Sequence, residues 1–224
     1  MKRGFYVILI VGLILFLDQW LKVWIKTNLY YGEEFNLLGL NWARIHFVEN
    51  KGMAFGLELG GDYGKLILSL FRIVVVSAMG YYIYKLVEEK VSYGLLGSIS
   101  LILAGALGNI IDSVFYGLIF SDSNPWHRNV AQLFPAEGGY GTFLHGKVVD
   151  MFYFPMFKGN FPDWFPIWSG EQFLFFRPVF NLADSAITIG VFLIIIFYRH
   201  IFQDEEKPTT APLEQVPIIS EVEE

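Results

Sequence analysis

Four long apolar windows punctuate the chain, at about residues 5–25, 66–86, 94–115 and 182–202. Each reaches the roughly 20 residues that a helix needs to cross a hydrocarbon core, so the pattern predicts four membrane-spanning helices. A mixed stretch, about 28–64, separates the first two windows. Within it Trp42, Ile45, Phe47 and Val48 alternate approximately with polar neighbours, which is a strand pattern. A longer stretch, about 116–181, is rich in Pro, Gly and aromatic residues. The expected fold class is therefore a membrane all-α core of four transmembrane helices with a small extracytoplasmic β and loop domain. Residues 1–202 make up that membrane domain. The segment 203–224 holds Pro208, Pro212 and Pro217 among acidic residues and reads as a disordered cytoplasmic tail. No internal repeat is visible.

Composition supports this reading: 54% of the 224 residues are hydrophobic and 17% are charged, against about 25% charged in soluble domains. The formal net charge of -6 owes much to the tail, and no basic stripe points to nucleic acid. Cysteine is absent, which excludes disulfides, thiolate metal sites and cysteine nucleophiles. Lys2 and Arg3 ahead of the first window resemble the start of a signal peptide, but no small-x-small cleavage site follows. Apolar character resumes after Asp18 through Trp20, Leu21, Val23, Trp24 and Ile25, so a retained span is expected. Lys2, Arg3, Lys85 and Lys90 fall on one side and favour a cytoplasmic N-terminus. Lys26, Arg44, Lys51 and Arg128 in the opposite loops weaken that bias. Trp126, Trp164, Phe165 and Trp168 suit a membrane interface.

Ionisable residues inside spans are costly and mark function by default. At about 1.5 Å per residue, Asp18 lies roughly 20 Å along the first span, Asn109 about 22 Å and Asp112 about 27 Å along the third. The fourth span runs the other way, so Asn181 and Asp184 fall in its first turn, with Asp150 in the loop before it. Alternating helix directions thus gather Asp18, Asn109, Asp112, Asp150 and Asp184 into one layer. Each has a plainer reading. Asp18 and Lys22, one turn apart, form a structural ion pair or meet substrate or phospholipid. Arg72 snorkels or pairs with a carboxylate. Asp184 complements a helix dipole, and Asn181 caps that helix. Asp150 lies in the apolar run Lys147-Val-Val-Asp-Met-Phe-Tyr-Phe154, where burial raises a carboxyl pKa.

The residue types narrow the chemistry. There is no His-Glu-x-x-His motif, and His46, His127, His145 and His200 lack metal-ligand spacing. No Gly-x-Ser-x-Gly elbow occurs. Ser–Lys chemistry stays open by residue type, although no Ser and Lys stand in a suggestive arrangement. Paired carboxylates fit the layer better. Two close carboxyls share a proton, so one can activate water while the other protonates the leaving group.

Five segments, in order, carry a resemblance to a known family. They are Asp18-Gln-Trp-Leu-Lys22, Asn50-Lys-Gly-Met-Ala-Phe55, Gly105-Ala-Leu-Gly-Asn-Ile-Ile-Asp112, Val148-Val-Asp150 and Phe180-Asn-Leu-Ala-Asp184. Together they resemble lipoprotein signal peptidase (signal peptidase II). The resemblance implies an aspartyl endopeptidase that cleaves diacylglyceryl-modified bacterial prolipoproteins just before the lipidated cysteine. It implies Asp150 and Asp184 as the catalytic pair, and Asn50, Gly52, Asn109, Asp112 and Asn181 as the shell that orients substrate and dyad. Asp18 and Lys22 would brace the first span. It further implies no metal or organic cofactor, inhibition by globomycin, and contact with membrane lipid. The location would be the bacterial inner membrane, with the active site near the extracytoplasmic face. A monomer is expected, because a four-helix bundle with an outer domain can enclose its own site.

Two departures stand out. The family's third-span motif commonly continues with Arg, where this chain has Ser113; Arg72, Arg128 and Lys147 are the candidate replacements. The links from Ser113 to Val149 and from Met156 to Arg177 are long, and read as a lid, a recognition surface or lineage-specific decoration. A transporter or a non-catalytic membrane binding protein is the alternative class. A transporter would favour midplane groups and broken helices in related halves, neither of which is visible.

Overall fold

The computed structural model describes residues 2–51, 61–164, 166, 169–175 and 177–199. Helix α1 (Lys2–Asn28) and α2 (Gly61–Glu88) precede α3 (Tyr93–Ile111), which runs on through a π-helical turn, Asp112–Tyr116, into the short α4 (Gly117–Ile119). Helix α5 (Leu182–Phe197) follows the sheet strands. Three of these runs, Lys2–Asn28, Tyr63–Glu88 and Tyr93–Ile119, are long and apolar enough to cross a membrane. The first three spans extend beyond their apolar windows because polar end residues such as Lys2, Arg3, Thr27 and Asn28 continue the helical turns. Within the span expected over 182–202 the α-helix runs from Leu182 to Phe197, and 200–202 lie outside the described residues. Tyr198 leaves helical geometry there, and its hydroxyl meets that of Ser92, the N-cap of α3, at 3.4 Å. Helix α5 therefore ends where α3 begins, and its 16 residues extend about 24 Å.

Phe5, Ile8, Phe16 and Trp20 on α1, and Phe192 and Ile196 on α5, face outward, as lipid-facing side chains do. Val7, Val76, Ile83, Leu96, Ile99 and Leu103 pack inward. Helices α3 and α5 approach closely because α3 presents glycine. A Cβ on Gly105 would collide with the Ala183 carbonyl oxygen, and one on Gly108 would press on Asp18 Oδ2 at 2.7 Å. Small residues at such contacts let helix backbones meet where lipid supplies no hydrophobic drive.

The outer domain is a four-stranded antiparallel sheet ordered β1-β2-β3-β6, from β1 (Glu34–Asn36), β2 (Arg44–Asn50), β3 (Val148–Tyr153) and β6 (Val179–Phe180). The strand expected at Trp42–Val48 is β2, displaced by two residues. A separate hairpin, β4 (Phe157–Asn160) and β5 (Gln172–Phe175), lies in the second insertion. Ile25, Phe47, Tyr116, Phe120, Val149 and Met151 form a buried cluster that fastens the sheet to α1 and the π-helical turn. In the β2–β3 ladder Val48 faces Asp150 and Asn50 faces Val148. Alternation therefore puts these four on one face of the sheet and Glu49 with Val149 on the other. The acidic tail 203–224 lies outside the described residues.

Candidate active site

Asp184 is the third residue of α5, and a capping box places it. The Asp184 N–H donates to Asn181 Oδ1 at 2.9 Å, while the Asn181 N–H donates to Asp184 Oδ2 at 3.3 Å. The Asn181 side chain also donates to Asp150 Oδ1 at 2.7 Å and to Asn109 Oδ1 at 3.1 Å. Asn109 in turn donates to Asp184 Oδ1 at 2.8 Å. Both carboxylates of the expected pair are thus bonded to Asn181, one from a strand and one from a helix. Asp150 is 4% exposed. Burial pushes its carboxyl up to about 7, and the charge of Asp184 pushes in the same direction.

A second tier fixes this one. Lys22 Nζ lies 2.9 Å from Asp18 Oδ2, 2.9 Å from Asp112 Oδ2 and 3.0 Å from Asn109 Oδ1. Asp18 Oδ1 accepts the Ala183 N–H at 2.9 Å, and Asp112 Oδ2 accepts the Val149 N–H at 3.2 Å. One lysine therefore joins α1 to both chain segments that carry the acidic pair. Asp18 and Lys22 are at most 1% exposed and lie within ion-pair distance of one another.

The layer read from the sequence is assembled by Asp18, Lys22, Asn109, Asp112, Asp150, Asn181 and Asp184. Asn50 ends β2 on the sheet face that carries Asp150, and Gly52 lies outside the described residues. Three participants escaped sequence reasoning. Gln19 donates to Asp112 Oδ1 at 2.9 Å and accepts the Tyr116 hydroxyl at 3.1 Å. Its place inside the Asp18–Lys22 segment was the available signal. Lys65, buried at 7% exposure, donates to the Ser113 hydroxyl at 3.2 Å. Lys26 pairs with Glu49 and donates to Ser123 at 2.9 Å. Lys147 joins this last cluster through Glu49 at 3.3 Å and Asp122 at 2.9 Å. A cavity of about 350 Å³ adjoins that cluster, lined in part by Tyr31, Glu49, Asp122, Trp126 and Lys147. It contains none of the residues of the acidic pair. Of the three candidate cations, Arg128 stacks over Tyr30 at 5.3 Å and Lys147 is held by Glu49 and Asp122. Arg72 faces the charges of Asp184, Asp112 and Asp150.

Three runs long and apolar enough to cross a membrane, with a buried Asp150 joined through Asn181 to a half-buried Asp184, define a multi-pass membrane protein with a carboxylate cluster beneath a small antiparallel sheet. Residues 10–200 match the family model described as signal peptidase (SPase) II. The chain is 51% identical over 199 residues to a lipoprotein signal peptidase of Porphyromonas gingivalis, covering 88% of this chain and 84% of that one. It is 39% identical to the lipoprotein signal peptidase of Amoebophilus asiaticus, covering 87% and 77%. A solved bacterial membrane enzyme structure, 26% identical, superposes with a TM-score of 0.55 over 90% of this chain and 93% of its own. The chain belongs to the signal peptidase II family. Membership favours the peptidase reading over the transporter and non-catalytic ones.

Proposed function

We propose that Asp150 and Asp184 are the acid/base pair with which this chain, an aspartic peptidase of its family, removes signal peptides from prolipoproteins. The carrying observation is their shared partner: Asn181 bonds Asp150 through its side-chain amide and Asp184 through its main-chain N–H. Two carboxyls joined through one residue, with Asp150 buried, can share a proton. The ionised one takes a proton from water as the water attacks the scissile carbonyl. The protonated one donates a hydrogen bond to that carbonyl and then protonates the leaving amine. An Asp150 carboxyl raised to about 7 keeps the proton available near neutral pH.

Asn50, Gly52, Asn109, Asp112 and Asn181 form the shell that orients substrate and pair, and Asp18 and Lys22 brace the first span against it. The substrate is a prolipoprotein carrying a diacylglyceryl cysteine, cut just before that cysteine. The lipid chains stay in the bilayer while the peptide bond reaches the interfacial layer. The enzyme sits in the inner membrane with this layer toward the extracytoplasmic face. It works as a monomer in contact with membrane lipid, without metal or organic cofactor, and is blocked by globomycin-type cyclic peptides.

The test is cleavage of a diacylglyceryl-modified prolipoprotein by purified protein in lipid, followed by product mass. Asp150→Asn and Asp184→Asn should each abolish product, and a substrate lacking the lipid should not be cut. Full rate in either Asn variant overturns the assignment of the pair.

A further inference from the structure

The acidic layer carries more negative charge than Lys22 balances. Asp18, Asp112, Asp150 and Asp184 bring four carboxyls, and a shared proton neutralises one of them. Uncompensated charge at this depth is expensive, so further positive charge is expected nearby. Helix α2 supplies it. Lys65, Ser69, Arg72 and Val76 recur at i, i+4, i+7 and i+11 along one face, and Lys65, Ser69 and Val76 are buried. Ser69 donates to the Leu144 carbonyl at 2.9 Å, which fixes this stripe against the segment leading to β3. Lys65 reaches across to the Ser113 hydroxyl, and that hydroxyl donates to the Asn109 carbonyl at 3.0 Å. Ser113 stands where the family motif commonly has Arg, and the cation of this chain arrives at the same position from another helix.

We propose that Lys65 is a positioning residue that replaces the missing arginine, holding positive charge beside Asp112 through the Ser113 hydroxyl. Asp112 bonds the Val149 N–H, so a positive charge held beside Asp112 also acts on the strand that carries Asp150. The charged groups that act on Lys65 are Arg72 from its own helix and Asp112 from the π-helical turn. This inference rests on the acid/base pair proposed above.

The experiment compares Lys65→Met, Lys65→Arg and the double variant Lys65→Met/Ser113→Arg in the prolipoprotein cleavage assay across pH. Wild-type cleavage and its loss in Asp150→Asn serve as the independent control on the pair. Lys65→Met should lower kcat about 10- to 100-fold with KM changed less than about threefold. Its acid limb should move to higher pH by about half a unit to one unit, because removing a cation favours protonated carboxylates. The double variant should fold and recover the wild-type acid limb, and Lys65→Arg should retain it. Lys65→Met with lower thermal stability but an unmoved acid limb would assign Lys65 a packing role only and overturn the proposal. So would a folded double variant whose limb stays shifted, a comparison that holds even where Lys65→Met alone is too unstable to purify.

Discussion

Asp112 accepts the main-chain N–H of Val149 at 3.2 Å, so a carboxylate on the third span holds the strand residue next to Asp150. Lys22 lies 2.9 Å from the same oxygen. The position of one member of the acidic pair is thereby set by charges drawn from two membrane helices.

Removing the lysine should cost more than removing the carboxylate. Lys22→Met leaves Asp18 and Asp112 buried without their shared cation, and should destabilise by about 3–5 kcal/mol. Asp112→Asn leaves Lys22 balanced by Asp18, and should cost about 1–3 kcal/mol for the weakened bonds. Both should reduce cleavage by at least about 100-fold. Denaturation in detergent orders the two stabilities; an equal or reversed order removes Lys22 from the centre of the network.

The raised pKa of Asp150 has a consequence for stability. The folded state holds a proton up to about pH 7, whereas an unfolded Asp releases it near 3.9. Between those values the native state binds more protons, so this contribution is present at acid pH and is lost as pH rises toward 7 and beyond. Wild-type Tm should fall from pH 5 to pH 8, and Asp150→Asn, which cannot ionise, should show a flatter slope while cleaving nothing. Parallel melting curves across that range would show that Asp150 does not titrate there.

Asn181 serves two ends. Asn181→Ala removes an N-cap, worth about 1 kcal/mol, and a buried bond to Asp150, worth about 1–3 kcal/mol. Stability should fall by about 2–3 kcal/mol, and kcat more than KM changes. Asn181→Asp keeps a good cap and should recover part of the stability. It also sets a third carboxyl beside the pair, so cleavage should stay lost. Rescue of rate by Asp would mean that capping alone matters.

The α3–α5 contact offers a steric test. Gly105→Ala drives a methyl group into the Ala183 carbonyl and should cost about 1–3 kcal/mol. It should also lower the rate by separating Asn109 from Asp184. Gly80→Ala, where a Cβ meets nothing within 4 Å, should be neutral to mildly stabilising. Thermal melts and cleavage rates of the two variants decide whether close helix approach matters to the site.

The sequence by itself determined the apolar spans, the β2 strand and the gathering of Asp18, Asn109, Asp112, Asp150 and Asp184 into one layer. These follow from local hydropathy, helical rise and alternation, which need no knowledge of the partner segment. The resemblance in five ordered motifs added Asn50 and Gly52 and gave Asp150 and Asp184 their expected role as the pair. Only the tertiary structure decided that Asn181 joins Asp150 to Asp184, that Lys22 serves Asp18 and Asp112 together, and that Lys65 meets Ser113. Span length and depth do not say how a helix is rotated about its axis. Close packing at Gly105 and Gly108 sets α3 against α5 and α1, and the β2–β3 register sets Asp150 beneath them.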